Sequence, residues 1–230
     1  TDGAVTVTQG KLEGKALTYL NLDGTDDYID SNTNAQTPLR SSHTFSTWCK
    51  LDDGQPSSTE TLWGSRNSSG QDTFELYIST TGKITYWYQA NGVAKYAVAD
   101  AAVFANGATP WHHVVATMEY NSASSATMKL YFDGVEVTLD GTNNGAFGGN
   151  MALWESTIEM AIGAGNNNDT PERFLDGGMR DFRIYTHALS ADQVASLYSG
   201  SYNVTPEHWW KMDDGGAHAS GSATVEDYGT

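Results

Sequence analysis

Short runs of alternating apolar and polar residues, each closed by Gly, Asn or Asp, set the rhythm of this chain. Thr44 to Leu51 is the clearest: Phe45, Thr47 and Cys49 alternate with Ser46, Trp48 and Lys50. Both faces carry bulk, as in a strand inside a sandwich. The same period predicts strands at Ala4 to Thr8, Ala16 to Leu22, Tyr28-Ile29-Asp30, Thr61 to Gly64, Thr73 to Ser79 and Lys83 to Gln89. It continues through Tyr96 to Val103, Trp111 to Tyr120, Thr127 to Phe132, Val135 to Leu139 and Thr157 to Ile162. The turns Thr80-Thr81-Gly82 and Asp133-Gly134 join neighbours into hairpins. Helical period enters once. After a strand at Met179 to Tyr185, Leu189, Val194 and Leu197 form an apolar stripe, Ser190 and Gln193 supply a capping box, and Gly200 closes the C-terminus. Short strands between Gly, Asn and Asp turns mean an all-β antiparallel sandwich with one short helix near 190–198, and no linker divides it.

Composition narrows the partners. With 28 Asp and Glu against 12 Lys and Arg, the net charge is -16. Phosphate backbones and anionic lipid are bound by clustered cations, so nucleic acid and membrane insertion are not expected. Such charge suits a secreted or surface-exposed protein, or one holding cations on carboxylates. Cys49 stands alone, which rules out an intrachain disulfide. No apolar run approaches a membrane span. The chain starts at Thr1 rather than Met, so a processed chain or an excised segment is expected.

Several blocks carry a resemblance. Leu20 to Ile29 (LNLDGTDDYI) looks like the "F-D-G-x-x-D-Y-V" opening of the laminin-G-like, concanavalin A-like jelly-roll domains. His43 to Lys50 is similar to that family's "F-T-I-S-A-W-V-K", and Trp111 to Thr117 (WHHVVAT) to its "W-H-H-V-A-A-T". Met128 to Gly134 resembles "L-K-L-Y-V-N-G", and Gly177 to Ser190 resembles "G-L-I-D-E-V-R-I-Y-N-R-A-L-S". One departure stands out: Arg180 replaces the first acid of "I-D-E", and Asp181 alone keeps the carboxylate. The resemblance implies a jelly roll of two antiparallel sheets over residues 1–204. His208 to Gly215 with Val225 to Gly229 resembles the family's first strand and turn, normally found ahead of "F-D-G". Residues 205–230 would then complete this domain by permutation or begin a tandem copy, with Trp209 to Met212 pairing at a sheet edge.

Candidate chemistry lies in four places. Adjacent His112 and His113 point to opposite faces of a strand and cannot share a metal, so one core and one surface histidine are expected. Trp154 to Glu159 (WESTIE) has the "E-x-D-x-E" spacing of endoglucanases on this fold, with Glu155 and Glu159 on one face as a hydrolytic pair would need. Thr157 occupies the place of the central Asp, and the surrounding blocks match the non-catalytic branch, so no catalytic residue is expected and a glycoside hydrolase is the remote alternative. Calcium takes oxygens from carboxylates and carbonyls on turns. The acidic turns Asp26-Asp27, Asp213-Asp214 and Glu226-Asp227 offer them, with Asp181, although Asp-Gly pairs also make turns unaided. The resemblance implies a structural Ca2+ near the first turn and the late strand, held by Asp227, Asp214, Asp181 and Asp27; Asn166 to Asp169 is a second candidate. Sugar binding would use exposed aromatics, and Trp63, Trp87, Tyr96 and Trp154 are the candidates, against the tendency of a sandwich to bury its tryptophans. Sequons stand at Asn67, Asn168 and Asn203. The expected function is a non-catalytic recognition or adhesion module of a larger extracellular, cell-surface or virion-surface protein. A glycan or surface glycoprotein is its expected partner, with neighbouring copies of the module as another. The competing expectation is a structural or protein-interaction module, such as a phage appendage or capsid decoration.

Overall fold

The alternating strands lie in two antiparallel sheets packed face to face. The computed structural model describes residues 6–12, 15–31, 41–67, 73–90, 92–122, 125–141, 159–212 and 227–229. Among the described residues an eight-stranded sheet has the order β1 (Thr6–Leu12), β2 (Lys15–Asp23), β15 (Asp176–Tyr185), β4 (His43–Leu51), β9 (His112–Ser122), β10 (Ser125–Phe132) and β11 (Val135–Glu136). β16 (His208–Trp210) also pairs with β15. A six-stranded sheet has the order β3 (Ile29–Asp30), β12 (Ala161–Ile162), β5 (Glu60–Arg66), β6 (Thr73–Ile78), β7 (Ile84–Ala90) and β8 (Val93–Val98). Beside β5 sits a small hairpin, β13 (Gly165–Asn166) and β14 (Pro171–Glu172), which the alternation pattern does not show.

Period-two burial explains the core. Phe45 and Cys49 of β4 face inward, as do Phe74 and Leu76 of β6 and Tyr86 and Tyr88 of β7, all essentially inaccessible. Phe45 lies parallel to Phe74 at 5.7 Å and meets Trp63 at 5.3 Å, while Phe182 closes on Trp63 at 5.3 Å. The outer face of the larger sheet is covered in part by the helix α1 (Ala191–Tyr198). Its Val194 and Leu197, with Leu189, pack on Val115, Tyr131 and Tyr185. The expected capping box is present, Ser190 accepting from the Gln193 N–H and Gln193 accepting from the Ser190 N–H. Ser199 is the C-cap, and Gly200 beyond it takes the positive φ (+76°) that lets its N–H reach the Leu197 carbonyl.

Several strands differ from their expected span, β1 running on to Leu12 past Thr8 and β15 starting at Asp176 rather than Met179. β8 is Val93–Val98 rather than Tyr96 to Val103, because its register follows β7 out of the turn at Gly92; the Val103 and Phe104 N–H groups bond the Gly82 carbonyl instead. β11 ends at Glu136, three residues early. The C-terminal segment joins the larger sheet: Phe182 pairs with Trp210 and Ile184 with His208, on the edge of β15 that β2 occupies only as far as Met179. Trp210 and Met212 enter the core. Among the described residues, no helix is long and apolar enough to cross a membrane.

Candidate functional site

The outer face of the six-stranded sheet gathers polar chemistry around two aromatic rings. On β7 the inward Tyr86 and Tyr88 leave Trp87 facing out, and the pairings Glu75–Trp87 and Trp87–Tyr96 form a row across β6, β7 and β8. The half-buried Trp87 and Tyr96 rings stack at 5.5 Å. Beside them Glu75, only 2% exposed, accepts from Arg173 Nη2 at 2.6 Å and from Thr61 Oγ1 at 3.0 Å. Burial pushes the Glu75 carboxyl up, and the Arg173 and Arg66 guanidiniums and the Thr61 hydroxyl oppose that rise. Arg173 also contacts Glu172 at 3.1 Å, which in turn holds Arg66. The β13–β14 hairpin brings this cluster together: a Cβ on Gly165 would come within 2.5 Å of Glu75 Oε1, and Arg173 itself sits at φ +55°.

Four polar atoms on this face, Glu75 Oε2, Thr73 Oγ1, Trp87 Nε1 and Arg173 Nε, are buried without a hydrogen-bond partner. Buried polar atoms are nearly always paired, so a cluster of orphans beside aromatic rings marks a place for ordered water or ligand hydroxyls. Of the residues on this face, the sequence offers Trp87 and Tyr96 as candidates and does not single out Glu75, Arg173, Arg66 or Thr73. A signal for Glu75 existed, since it is a lone charge between Phe74 and Leu76 in a core strand. Arg173 had none.

Trp63 is corrected. It faces the core at 0% exposure, between Phe45 and Phe182, and cannot stack on a sugar. Trp154, Glu155 and Asp214 lie outside the described residues. Glu159 is half-buried; its carboxyl is raised first by a hydrogen bond with Asp30 and then by burial.

Of the acids expected to share one ion, the three that are described, Asp181, Asp227 and Asp27, do not come together. Asp181 sits in a bulge of β15 at φ +53°, its Oδ1 accepting from Arg183 Nη2 at 3.1 Å and Trp209 Nε1 at 3.0 Å. Asp227 accepts from the backbone N–H of Trp209 (2.8 Å) and Gly229 (2.9 Å) and pairs with His208 Nδ1 at 2.6 Å, contacts that draw its pKa down against its burial. Both carboxylates tie the β16 edge together. Asp27 is elsewhere, at the turn after β2 with Asp23 and Asp26, the carboxylate oxygens within 4.8 Å of one another. Asp176, the β15 partner of Asp23, is five residues before Asp181, about 16 Å along a strand. Burial first, then the Asp23 charge, raises Asp27. Crowded carboxylates at a turn are the donor chemistry a hard cation takes, a grouping that Asp27, Asp181 and Asp227 do not form. The second candidate turn is internally bonded, Asn166 Nδ2 donating to the Glu159 carbonyl at 2.9 Å and Asn167 and Thr170 exchanging backbone bonds.

His112 and His113 take opposite faces of β9 as expected, but neither is a surface histidine, because α1 covers the outward one. Half-buried His112 contacts Asp133 at 2.8 Å, while His113 is fully buried under α1 and bonds Ser46 at 2.8 Å. Asn168 and Asn203 are exposed and Asn67 half-buried.

A family model of laminin-G type, described as the concanavalin A-like lectin/glucanases superfamily, matches residues 23–195. No curated protein sequence matches the chain. Among solved structures, the IT-sialidase CBM40 of Ruminococcus gnavus aligns with a TM-score of 0.59 at 15% identity, covering 85% of this chain and 100% of that one. The same module bound to alpha2,3 sialyllactose aligns at 0.58 and 16%, covering 85% and 99%. A mutant NanB sialidase of Streptococcus pneumoniae aligns at 0.58 and 18%, covering 77% of this chain and 27% of the sialidase. At these identities the likeness is one of fold.

Proposed function

Because the chain belongs to the concanavalin A-like lectin/glucanase superfamily, we propose that it is a carbohydrate-binding module, with its ligand on the outer face of the six-stranded sheet. The observation that carries this reading is the set of orphaned atoms, Glu75 Oε2, Thr73 Oγ1, Trp87 Nε1 and Arg173 Nε, beside the stacked rings of Trp87 and Tyr96. The rings offer a platform for the apolar face of a pyranose. Arg173, partly exposed and held in place by the buried Glu75, presents a fixed donor to sugar hydroxyls. Solved modules of this fold bind sialyllactose, so sialylated glycans are the first ligands to test.

Titration with 3′-sialyllactose and 6′-sialyllactose, alongside a glycan array, tests the reading. Trp87→Ala is expected to weaken binding about 30-fold, the loss of one central aromatic anchor. Glu75→Gln is expected to weaken it by a similar factor, because Arg173 loses its charged partner. Absence of binding across the array, or affinity untouched by both substitutions, overturns the reading. We read the module as non-catalytic, part of a secreted, cell-surface or virion-surface protein. Release of reducing sugar from β-glucans or sialosides would overturn the first part.

Calcium belongs to the same proposal at a revised place. Asp23, Asp26 and Asp27 would hold it, and bound there it would pin the turn between β2 and β3 electrostatically. Addition of 1 mM Ca2+ is expected to raise the melting temperature of the wild type and not of Asp27→Asn. An equal rise in both excludes this turn as the site.

A further inference from the structure

We propose that a second, anion-selecting site lies on the outer face of the eight-stranded sheet, where Arg180 and Lys50 receive the carboxylate or sulfate of an acidic saccharide. It goes beyond the glycan site above and shares no residue with it.

The starting point is the departure at Arg180, a cation where the laminin-G-like pattern has an acid. In the structure Arg180 pairs across β15 and β4 with Trp48, and Gly178 with Lys50, so both cations project from the face opposite the core. The Arg180 guanidinium carbon lies 4.7 Å from the Trp111 ring centre and 5.3 Å from that of Trp48. Lys50 Nζ lies 5.8 Å from the same Trp111 ring and 4.4 Å from that of Tyr19, whose hydroxyl it meets at 3.1 Å. Tyr19 and Trp111 are themselves edge to face at 5.2 Å. Gly178 makes this arrangement fit: a Cβ there would come within 2.7 Å of Lys50 Cε and 3.0 Å of Tyr19 Cδ2.

Among the described residues neither cation has an acidic partner. The other described arginines are all ion-paired, Arg66 with Glu172, Arg173 with Glu75 and Arg183 with Asp181. Arg180 and Lys50 form no ion pair among the described residues, and Arg180 Nε is buried with no hydrogen-bond partner. This happens in a chain with 28 acidic residues and 12 basic ones. Two cations held against one indole, in a place where no carboxylate answers them, repel each other until an anion sits between them. The rings lower the local dielectric and exclude water, which strengthens a charge-assisted hydrogen bond from the guanidinium to an incoming acid. Trp48 is stacked on Tyr198 of α1 at 5.5 Å and so holds Arg180 in place, while the half-buried Trp111 supplies the ring for the sugar that carries the acid, which favours a saccharide over an extended acidic peptide.

The test is an NMR titration at 20 mM salt that follows the indole N–H signals with methyl β-glucuronide, glucose 6-sulfate and methyl β-glucoside. The acidic sugars are expected to shift the Trp48 and Trp111 signals and to bind about 10-fold tighter than the neutral glucoside, the gain of one charge-assisted contact. Arg180→Gln and Lys50→Gln are each expected to remove that preference; should one fail to fold, the other still decides. In Trp87→Ala the glucuronide response is expected to persist, which keeps this site distinguishable from the first. Equal binding of glucuronide and glucoside, a response confined to Trp87, or tighter binding of a hexaglutamate peptide than of either acidic sugar overturns the proposal.

Discussion

Acidification from pH 7 to pH 4 is expected to cost the domain about 3 kcal/mol of stability for each of two buried histidines, His43 and His113. Burial pushes His43 down to about 4; its Nδ1 meets the Ser41 carbonyl at 2.8 Å and its Nε2 the Tyr86 hydroxyl at 2.6 Å. Burial, with the nearby Arg183 charge, pushes His113 down to about 4 as well. His113 Nδ1 has no partner to stabilise a second proton. Both folded values lie below the ordinary 6.5, so the unfolded chain takes up protons first. The stability from burying neutral imidazoles is therefore fully present above pH 6.5 and is lost as pH falls through about 4. Glu60 acts in the opposite sense. Burial, and to a lesser degree Asp176, Asp53 and Asp52, raise it to about 7, so its contribution is present below 4.5 and lost as pH rises through about 7. That group is partly exposed, and solvent screening keeps its effect below the histidines'. Urea midpoints measured from pH 7.5 to pH 4 should fall steeply, and imidazole NMR titrations should place both histidines near 4. A flat midpoint, or native histidines titrating near 6.5, would sink the expectation.

Trp63→Ala is expected to lower stability by about 3–5 kcal/mol while leaving sialyllactose affinity unchanged. The indole fills the centre of the sandwich against Phe45 and Phe182, and truncation leaves a void that neighbouring strands cannot close. Its Nε1 is buried without a partner, so Trp63→Phe retains most of the packing and removes an unpaired donor. The phenylalanine variant should therefore sit much closer to the wild type in urea than the alanine variant. A loss of glycan binding in Trp63→Phe with stability intact would return this residue to the ligand site.

The tryptophans show where the sequence stops being readable. Trp63 and Trp87 both lie in strands and look alike by alternation. Thr61 opposes Tyr77 but Trp63 opposes Leu76, so a bulge at Leu62 turns Trp63 inward although Thr61 faces out. One inserted residue reverses every side chain beyond it, and composition does not reveal where it falls. Trp87 follows β7 without a bulge, and its outward face follows directly from inward Tyr86 and Tyr88.

By itself the sequence determined what local chemistry can decide. Period-two patterning placed most of the strands, Gly and Asp turns placed the hairpins, and Ser190 with Gln193 placed the helix start, because each signal acts within a few residues. The grouping of Asp23, Asp26 and Asp27 was within that reach too. Tertiary structure alone decided which distant groups meet. Glu75 meets Arg173 only because the β13–β14 hairpin folds beside β5. Asp181 and Asp227 act as acceptors for Trp209, rather than as partners of Asp27, only because β16 lands on the free half of the β15 edge. Such meetings depend on sheet order and register, which arise from the burial of the whole core and leave no trace in any short stretch of chain.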